Sequence, residues 1–530
     1  MDKRGLLVDL LYQRLAAFQD RETASCLAQL QHGIEKESLR IDAQGVLSQL
    51  PHPAALGAPL TQASITTDFS ESLLELITPP STDIRQTLRV LTELHHFVYQ
   101  NIGDEKLWVN SMPCVLLGEH NIPIARYGQS NTGRMKYIYR RGLAMRYGRL
   151  MQTIAGIHYN ISLPKAFWHV LSQIEHGHEA DQNTISAGYF ATIRNIHRHS
   201  WLLLLLMGAS PAVCMTFLEG RKHDLDALDE HSFGLPYATS LRMSDLGYQN
   251  NAQSGIDVSY DGLERYVETL NQAMMQVYPA YTDMGVLAQG EYLQLNDHTL
   301  QVENEFYSMV RPKRAGDSSV RPTRLLKEFG VEYLELRFLD LNPFAAIGID
   351  IDQTRMLDIF VVFCALQYSP PICTREQQEI VENRQRTVLR GRQPGLTLLI
   401  QGAKKPLVEQ GHSLLQAMAP IAELLDHACQ TSDFSVAIKQ YRHTLDDLSL
   451  TPSARILKEM QSNGEAFAHF ARRKAAEHER WFKMHMIDPV VAATLQQQAQ
   501  TSQQELLQLE QEQSNDFAGF LACYLGTSTA

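Results

Sequence analysis

The stretch ITTDFSESLLELIT, residues 65–78, decides how the rest of the chain is read. Isoleucine, threonine, phenylalanine and leucine suit a half-buried pleated surface. Asp68, Glu71 and Glu75 interrupt that pattern, because a buried carboxylate is costly unless a cation or hydrogen-bond donors meet it. Strand alternation puts Glu71, Leu73 and Glu75 on one face, with Asp68 at a bend ahead of them. A strand here therefore demands a positive partner for its acids.

Three other segments repeat the arrangement. In GIEKESLRI (33–41), Glu35 and Glu37 share a face, while Lys36 and Arg40 point the other way. In GIHYNISL (156–163), His158, Asn160 and Ser162 lie opposite Ile157, Tyr159 and Ile161. In EYLELRFLD (332–340), Glu335 and Arg337 lie opposite Leu334, Leu336 and Phe338. Taken singly, each has an ordinary explanation. Alternating acids usually mark a solvated face, a strand histidine is usually structural, and Glu335 beside Arg337 reads as a surface ion pair of small energy. Together they predict a sheet with one charged, concave side and one packed side, and a metal site of unspecified chemistry.

Composition narrows the setting. The 530 residues are 44% hydrophobic and 20% charged, with a formal net charge of -12, as in a globular protein with a large core. That acidity, without basic runs interleaved with aromatics, argues against a nucleic-acid partner. No GxxxxGK[ST] and no GxGxxG after a strand occurs. A nucleotide would then be held through cations on carboxylates, as magnesium is with substrate phosphates. Two local basic clusters, Arg134, Lys136, Arg140, Arg141, Arg146 and Arg149 in residues 130–150 and RPKR at 311–314, suit a small polyanion such as ATP.

Seven scattered cysteines without a CxxC predict neither a thiolate zinc site nor a disulfide framework, which places the chain in a reducing, cytoplasmic compartment. The uncharged run WLLLLLMGASPAVCMTFL (201–218) is broken by Gly208, Ser210 and Pro211, and reads as a buried helix, a turn and a buried strand or short helix. No membrane association is expected. Strand-type runs alternate with helical stretches across residues 30–345, and helical patterns dominate residues 346–530. The tail QQQAQTSQQELLQLEQEQ reads as a solvated helix or a frayed end. No glycine- or serine-rich linker divides the chain, so residues 1–530 read as a single compact α+β unit.

The sequence resembles glutamate–cysteine ligases of the proteobacterial type. The matching stretches are GIEKESLR, ITTDFSESLLELITP, GDEKLWVNSMP, YGQSNTGRMKYIYRRGL, RYGRLMQTIAGIHYNISLP, LPYATSLRMSDLGYQN, QVENEFYSMVRPKR and VEYLELRFLDLNPF, in the family's order from Gly33 to Phe344. GRQPGLTL and SARILKEM extend the match. The resemblance implies an antiparallel sheet bent into a funnel, a glutamine-synthetase-like catalytic core wrapped by helices. It implies magnesium, with manganese as a substitute, on Glu35, Glu37, Asp68, Glu75, His158 and Glu335. Glu71 has no such role and is read as structural. Anion and substrate contacts fall on Arg140, Arg242, Arg311 and Arg337, and a cysteine pocket on Phe69, Tyr139, Leu143, Gln152, Asn160, Tyr248 and Tyr307. Two positions depart from the pattern: Phe338, where relatives usually carry a small residue, and Arg390, where an acid is common.

The reaction implied is ATP-dependent joining of L-cysteine to the γ-carboxylate of L-glutamate through γ-glutamyl phosphate, the first step of glutathione synthesis, with Arg337 and Glu335 in catalytic roles. Feedback inhibition by glutathione and a monomeric state come with the resemblance. The alternatives are a related glutamate–amine ligase with another acceptor, and a non-catalytic metal- or nucleotide-binding regulator. The cysteine-pocket match weighs against the first, and the complete acid set against the second.

Overall fold

A computed structural model describes residues 3–247, 255–256, 258–317, 319–512 and 516–526. Its centre is a seven-stranded sheet, here numbered in chain order: β1 (Gln31–Ile41), β2 (Ile65–Thr67), β3 (Leu73–Ile77), β4 (Lys106–Leu107), β5 (Ile157–Ser162), β6 (Val310–Lys313) and β7 (Tyr333–Leu339). The order across the sheet is β6-β7-β5-β1-β3-β2, with β4 also on β1, and every pairing is antiparallel. The four alternating segments are thus neighbours, β7, β5, β1 and β3. Period-2 alternation then stacks their polar residues on one face.

The other face is apolar and closed. Ile34, Leu74, Leu76, Ile157, Tyr159, Ile161, Leu334, Leu336 and Phe338 are all 0–1% exposed. Helix α1 (Ile84–Asn101) packs on β1 and β3, and helix α3 (Gln182–Met207) packs on β6 and β7. Lys36 and Arg40 also lie on this buried side. Lys36 Nζ meets His95 Nε2 at 3.0 Å, and Arg40 pairs with Glu105 at 2.5 Å. Phe338 is buried on the packed face, as its parity requires.

Residues 65–78 form a hairpin, not one strand. β2 ends at Thr67, residues 68–72 turn, and β3 begins at Leu73. The alternation therefore does not reach Glu71, whose carboxylate instead accepts from the backbone N–H groups of His52 and Arg126, each at 2.7 Å. Glu71 ties two loops to the turn, consistent with a structural reading. Its acid is met by peptide donors, not by a cation.

The apolar run resolves into the end of α3, the strand Ala212–Cys214 and the short helix Met215–Leu218. Asp181 caps α3 by accepting from Thr184 N, and the run Trp201–Met207 is buried among other helices. No helix among the described residues is long and apolar enough to cross a membrane. After β7 the chain is largely helical, with α4 (Ile351–Leu366) and α5 (Thr374–Arg390) beside α3, and α6 (Leu407–Cys429) beside α4.

Of the two readings of the glutamine-rich tail, the solvated helix is the one found, through Glu512. It forms the helix Pro489–Glu512, mostly exposed but anchored to the loop between β1 and β2. Ser502 Oγ accepts from Ala58 N at 3.0 Å, and Gln503 Nε2 donates to Ala54 O at 2.6 Å. A last helix, Phe517–Leu525, follows.

Candidate active site

The polar face of the sheet forms one wall of a cavity of about 990 Å³, within the range of a site built for small molecules. Strand register sets its contents. Glu37 stands opposite Glu75, Glu35 opposite His158, and Glu335 opposite both Asn160 and Arg311. The carboxylates of Glu35, Glu37, Glu75 and Glu335 and the His158 imidazole are thereby brought to the cavity wall, joined by Asp68 from the β2–β3 turn.

The acids are not equivalent. Glu335, 1% exposed, accepts from Arg337 Nη1 at 2.8 Å, and Lys313 Nζ lies 3.4 Å from its other oxygen. Burial alone would raise its carboxyl, but Arg337, Lys313 and His158 outweigh it and hold it well below the usual range. Glu35 accepts from Asn160 Nδ2 at 2.9 Å and meets His158 Nδ1 at 3.0 Å. Burial and Glu335 push its carboxyl up, but His158 and Lys313 leave it below the ordinary value. Glu37 accepts from Gly156 N at 2.6 Å, yet burial leaves it raised. Glu75 has no hydrogen-bond donor among the described residues. Burial, then Glu35, Asp68 and Glu37, push its carboxyl well above the ordinary value.

This donor set fits a hard cation. Ligand atoms of Glu35, Glu75 and His158 lie within 4.8 Å of one another, and oxygen-rich sites with retained charge suit magnesium or manganese. Beside it, Asn160 donates through Nδ2 to Glu35, while its Oδ1 is buried without a hydrogen-bond partner among the described residues.

Helix α2 (Asn131–Tyr147) supplies the opposite wall. Ser130 caps it by accepting from Gly133 N at 3.1 Å. Lys136, Tyr139, Arg140 and Leu143 recur at helical spacing and line the cavity. Arg140 donates to Asp68 O and stacks 4.5 Å over the Tyr127 ring, while the Tyr127 hydroxyl donates to Asp68 O at 2.8 Å. The turn that presents Asp68 and Phe69 is held by these contacts. The remaining cations of residues 130–150 are used elsewhere. Arg146 pairs with Glu305 at 2.9 Å, Arg149 donates to Ile122 O, Arg141 meets Glu291, and Arg134 lies over Phe517.

At the far end of β7, Arg242 donates to Arg337 O at 2.8 Å and to Leu339 O at 3.3 Å. A Cβ on Gly156 would meet Arg242 Nη2 at 2.1 Å, so only glycine leaves room for this guanidinium. Tyr307 donates to Met243 Sδ at 3.2 Å, and Arg311 donates to Asn304 O and Phe306 O. Phe69, Gln152, Tyr307, Arg242 and Arg311 all line the cavity. Asn160 borders it through Glu35, and Tyr248 lies outside the described residues.

The cavity also holds Lys313 and Lys136, members of the two basic clusters read as suited to a polyanion, and Tyr524, which no sequence signal marked. Lys313 had a signal, since it alternates with Arg311 along β6. Burial, then the charge of Arg140, lowers the Lys136 ammonium to about 8.

No cysteine lines the cavity. Cys114, Cys214 and Cys364 are buried, Cys26 is half-buried, and Cys373, Cys429 and Cys523 are exposed. Single Cys→Ala variants at all seven positions should keep parental turnover in a steady-state assay, with stability losses of about 1–2 kcal/mol confined to the three buried sites. A folded variant without turnover would assign that thiol to the chemistry.

The family model described as glutamate-cysteine ligase matches residues 15–387. A glutamate–cysteine ligase of Pseudomonas paraeruginosa is 46% identical over 516 residues, covering 97% of this chain and 98% of the relative. One from Alcanivorax borkumensis is 48% identical over 477 residues, covering 89% and 91%. The crystal structure of glutamate–cysteine ligase from Francisella tularensis in complex with AMP superposes with a TM-score of 0.88 at 32% identity, over 94% of this chain and 98% of that one. A bifunctional glutathione synthetase from Pasteurella multocida gives 0.67 at 25% identity, over 87% and 54%. With matches of this length on both sides, the chain belongs to the glutamate–cysteine ligase family.

Proposed function

We propose that the cavity joins L-cysteine to the γ-carboxylate of L-glutamate, converting ATP to ADP and phosphate. The observation that carries this reading is the mixed-charge wall: clustered carboxylates beside Arg337 and Lys313, with cationic Arg140, Arg242 and Arg311 around them. A carboxylate is a poor electrophile, so activation must precede amide formation. The γ-phosphoryl group of ATP passes to a γ-carboxylate oxygen. The cysteine amine then attacks the carbonyl carbon, the C–N bond forms, and the C–O bond to phosphate breaks.

Arg337 and Lys313 lie where charge develops on the transferring group. Arg242, fixed by two backbone carbonyls of β7, suits a substrate carboxylate. Tyr139, Leu143, Phe69, Gln152, Tyr307 and, from the family pattern, Tyr248 would enclose the acceptor. Magnesium, held by Glu35, Glu37, Asp68, Glu75, His158 and Glu335, would neutralise phosphate charge when bound. With no nucleophilic thiol in the cavity, direct attack without an acyl-enzyme is the simplest route.

The same reading treats the chain as one catalytic unit, with residues 30–345 carrying the sheet and residues 346–530 its helical support. It includes a monomer working in the cytoplasm and inhibition by glutathione, whose γ-glutamylcysteinyl part matches the product.

The test is isotopic. Oxygen-18 in the γ-carboxylate of glutamate should appear in the released phosphate when ATP and cysteine are supplied. Label confined to the dipeptide would defeat the acyl-phosphate route.

A further inference from the structure

The last helix of the chain, Phe517–Leu525, lies beyond the residues matched by the family model, yet it reaches the cavity. Phe517 and Leu521 pack with Met135 and Ile138 of α2 and with Leu295 and Val302 in a small core separate from the main one. Phe517 is gripped on two sides, by the Arg134 guanidinium at 4.5 Å and by the Tyr292 ring at 5.2 Å. Arg321 Nη1 donates to Leu525 O at 3.5 Å. Met135, Val302 and Tyr524 present the cavity side of this cluster.

The position along the cavity is set by the sheet. Lys313 stands opposite Tyr333 at one end of the β6–β7 ladder, and Val310 opposite Leu336 at the other. The chain leaves β6 after Lys313 and reaches Arg321 and Pro322, so Tyr524, beside Arg321, belongs to the Lys313 end. Arg242, Gly156 and Tyr307 mark the opposite end, where substrate carboxylates and the acceptor are placed in the reading above. The carboxylate cluster lies between. A nucleoside triphosphate with its terminal phosphate at that cluster must extend toward Lys313, where the cavity is lined by Pro322, Leu325, Leu326, Met135, Val302 and Tyr524. An aromatic ring among aliphatic side chains, entered past Lys313 and Arg314, has the chemistry of a purine pocket.

We propose that the C-terminal helix builds the nucleoside end of the active site and that Tyr524 contacts the purine base of ATP. This rests on the ligase reading for the placement of the amino-acid end, but base binding is measurable without turnover.

The experiment uses full-length Tyr524→Ala and Tyr524→Phe. Base–aromatic stacking is worth about 1–3 kcal/mol by alanine substitution, or roughly 5- to 150-fold. Tyr524→Ala should therefore raise the KM for ATP about tenfold or more and weaken AMP binding, measured by calorimetry, to the same extent. KM for glutamate and for cysteine should stay within about twofold. Inhibition by inorganic tripolyphosphate, which lacks a base, should not change. Tyr524→Phe keeps the ring and should stay near parental values. Unchanged AMP affinity in Tyr524→Ala, or a rise confined to the amino-acid KM values, overturns the assignment. So does a parallel loss of all affinities that Tyr524→Phe shares. If the parent binds AMP but releases no ADP with glutamate and cysteine, the ligase reading fails while the AMP comparison still judges the base pocket.

Discussion

Glu75→Gln is expected to make the metal-free protein more stable while cutting turnover by about two to three orders of magnitude. The two effects have one cause. The Glu75 carboxylate has no donor among the described residues, and burial, then Glu35, Asp68 and Glu37, oppose its charge. Glutamine keeps the shape and removes that repulsion, so thermal unfolding in EDTA should shift upward. The sign follows from proton binding. A carboxyl raised above its ordinary value of 4.5 binds more protons folded than unfolded, so stability falls as pH rises past 4.5 toward the raised folded value. The gain on substitution should be full above that folded value and vanish near pH 4. Turnover moves the other way because a metal ligand is lost, and sites tuned for function commonly sacrifice stability.

Glu335→Gln separates this account from a general effect of neutralisation. Its carboxylate is held by Arg337 at 2.8 Å with Lys313 at 3.4 Å, so removing its charge leaves two half-buried cations with a weaker partner. That variant should lose both turnover and stability. A stabilised Glu335→Gln, or a Glu75→Gln enzyme with near-normal turnover at ordinary magnesium, would remove the corresponding residue from the ligand set.

The charged face of the sheet was legible because strand alternation is local. Glu35, Glu37, Glu75, His158, Asn160, Glu335 and Arg337 needed only parity to be placed on the polar faces of their own strands. Strand order was not legible, because pairing β5 between β1 and β7 joins residues more than a hundred positions apart. Parity also failed at Glu71, since the hairpin turn consumed residues 68–72 and reset the register at Leu73. Basic residues in 130–150 looked alike in sequence. Which of them face the cavity depends on α2's orientation and on partners such as Glu305 and Phe517 from distant segments. Nothing local announced Tyr524, whose place is set by docking of the final helix against α2.

Arg337→Lys carries the second large effect: turnover should fall about a hundredfold or more while glutamate affinity changes little. The backbone at this position is pinned from both sides, with Arg337 N donating to Met309 O at 2.8 Å and Arg337 O accepting from Arg242 at 2.8 Å. The side chain is pinned by Glu335 at 2.8 Å and lies 3.4 Å from His158 Nδ1. Burial opposes its charge, but Glu335, Glu37 and Glu35 together hold the guanidinium firmly protonated. Its Nε is buried without a hydrogen-bond partner, so the planar group keeps donor capacity beyond what Glu335 uses. Lysine preserves one positive charge but not two donors in a fixed plane, which is what a planar transferring phosphoryl group requires. Loss of an interaction made only in the transition state lowers kcat and kcat/KM equally. Steady-state kinetics with glutamate varied at saturating ATP and cysteine therefore separates the roles. Weaker glutamate binding with turnover intact would instead make Arg337 a ground-state clamp on the substrate carboxylate.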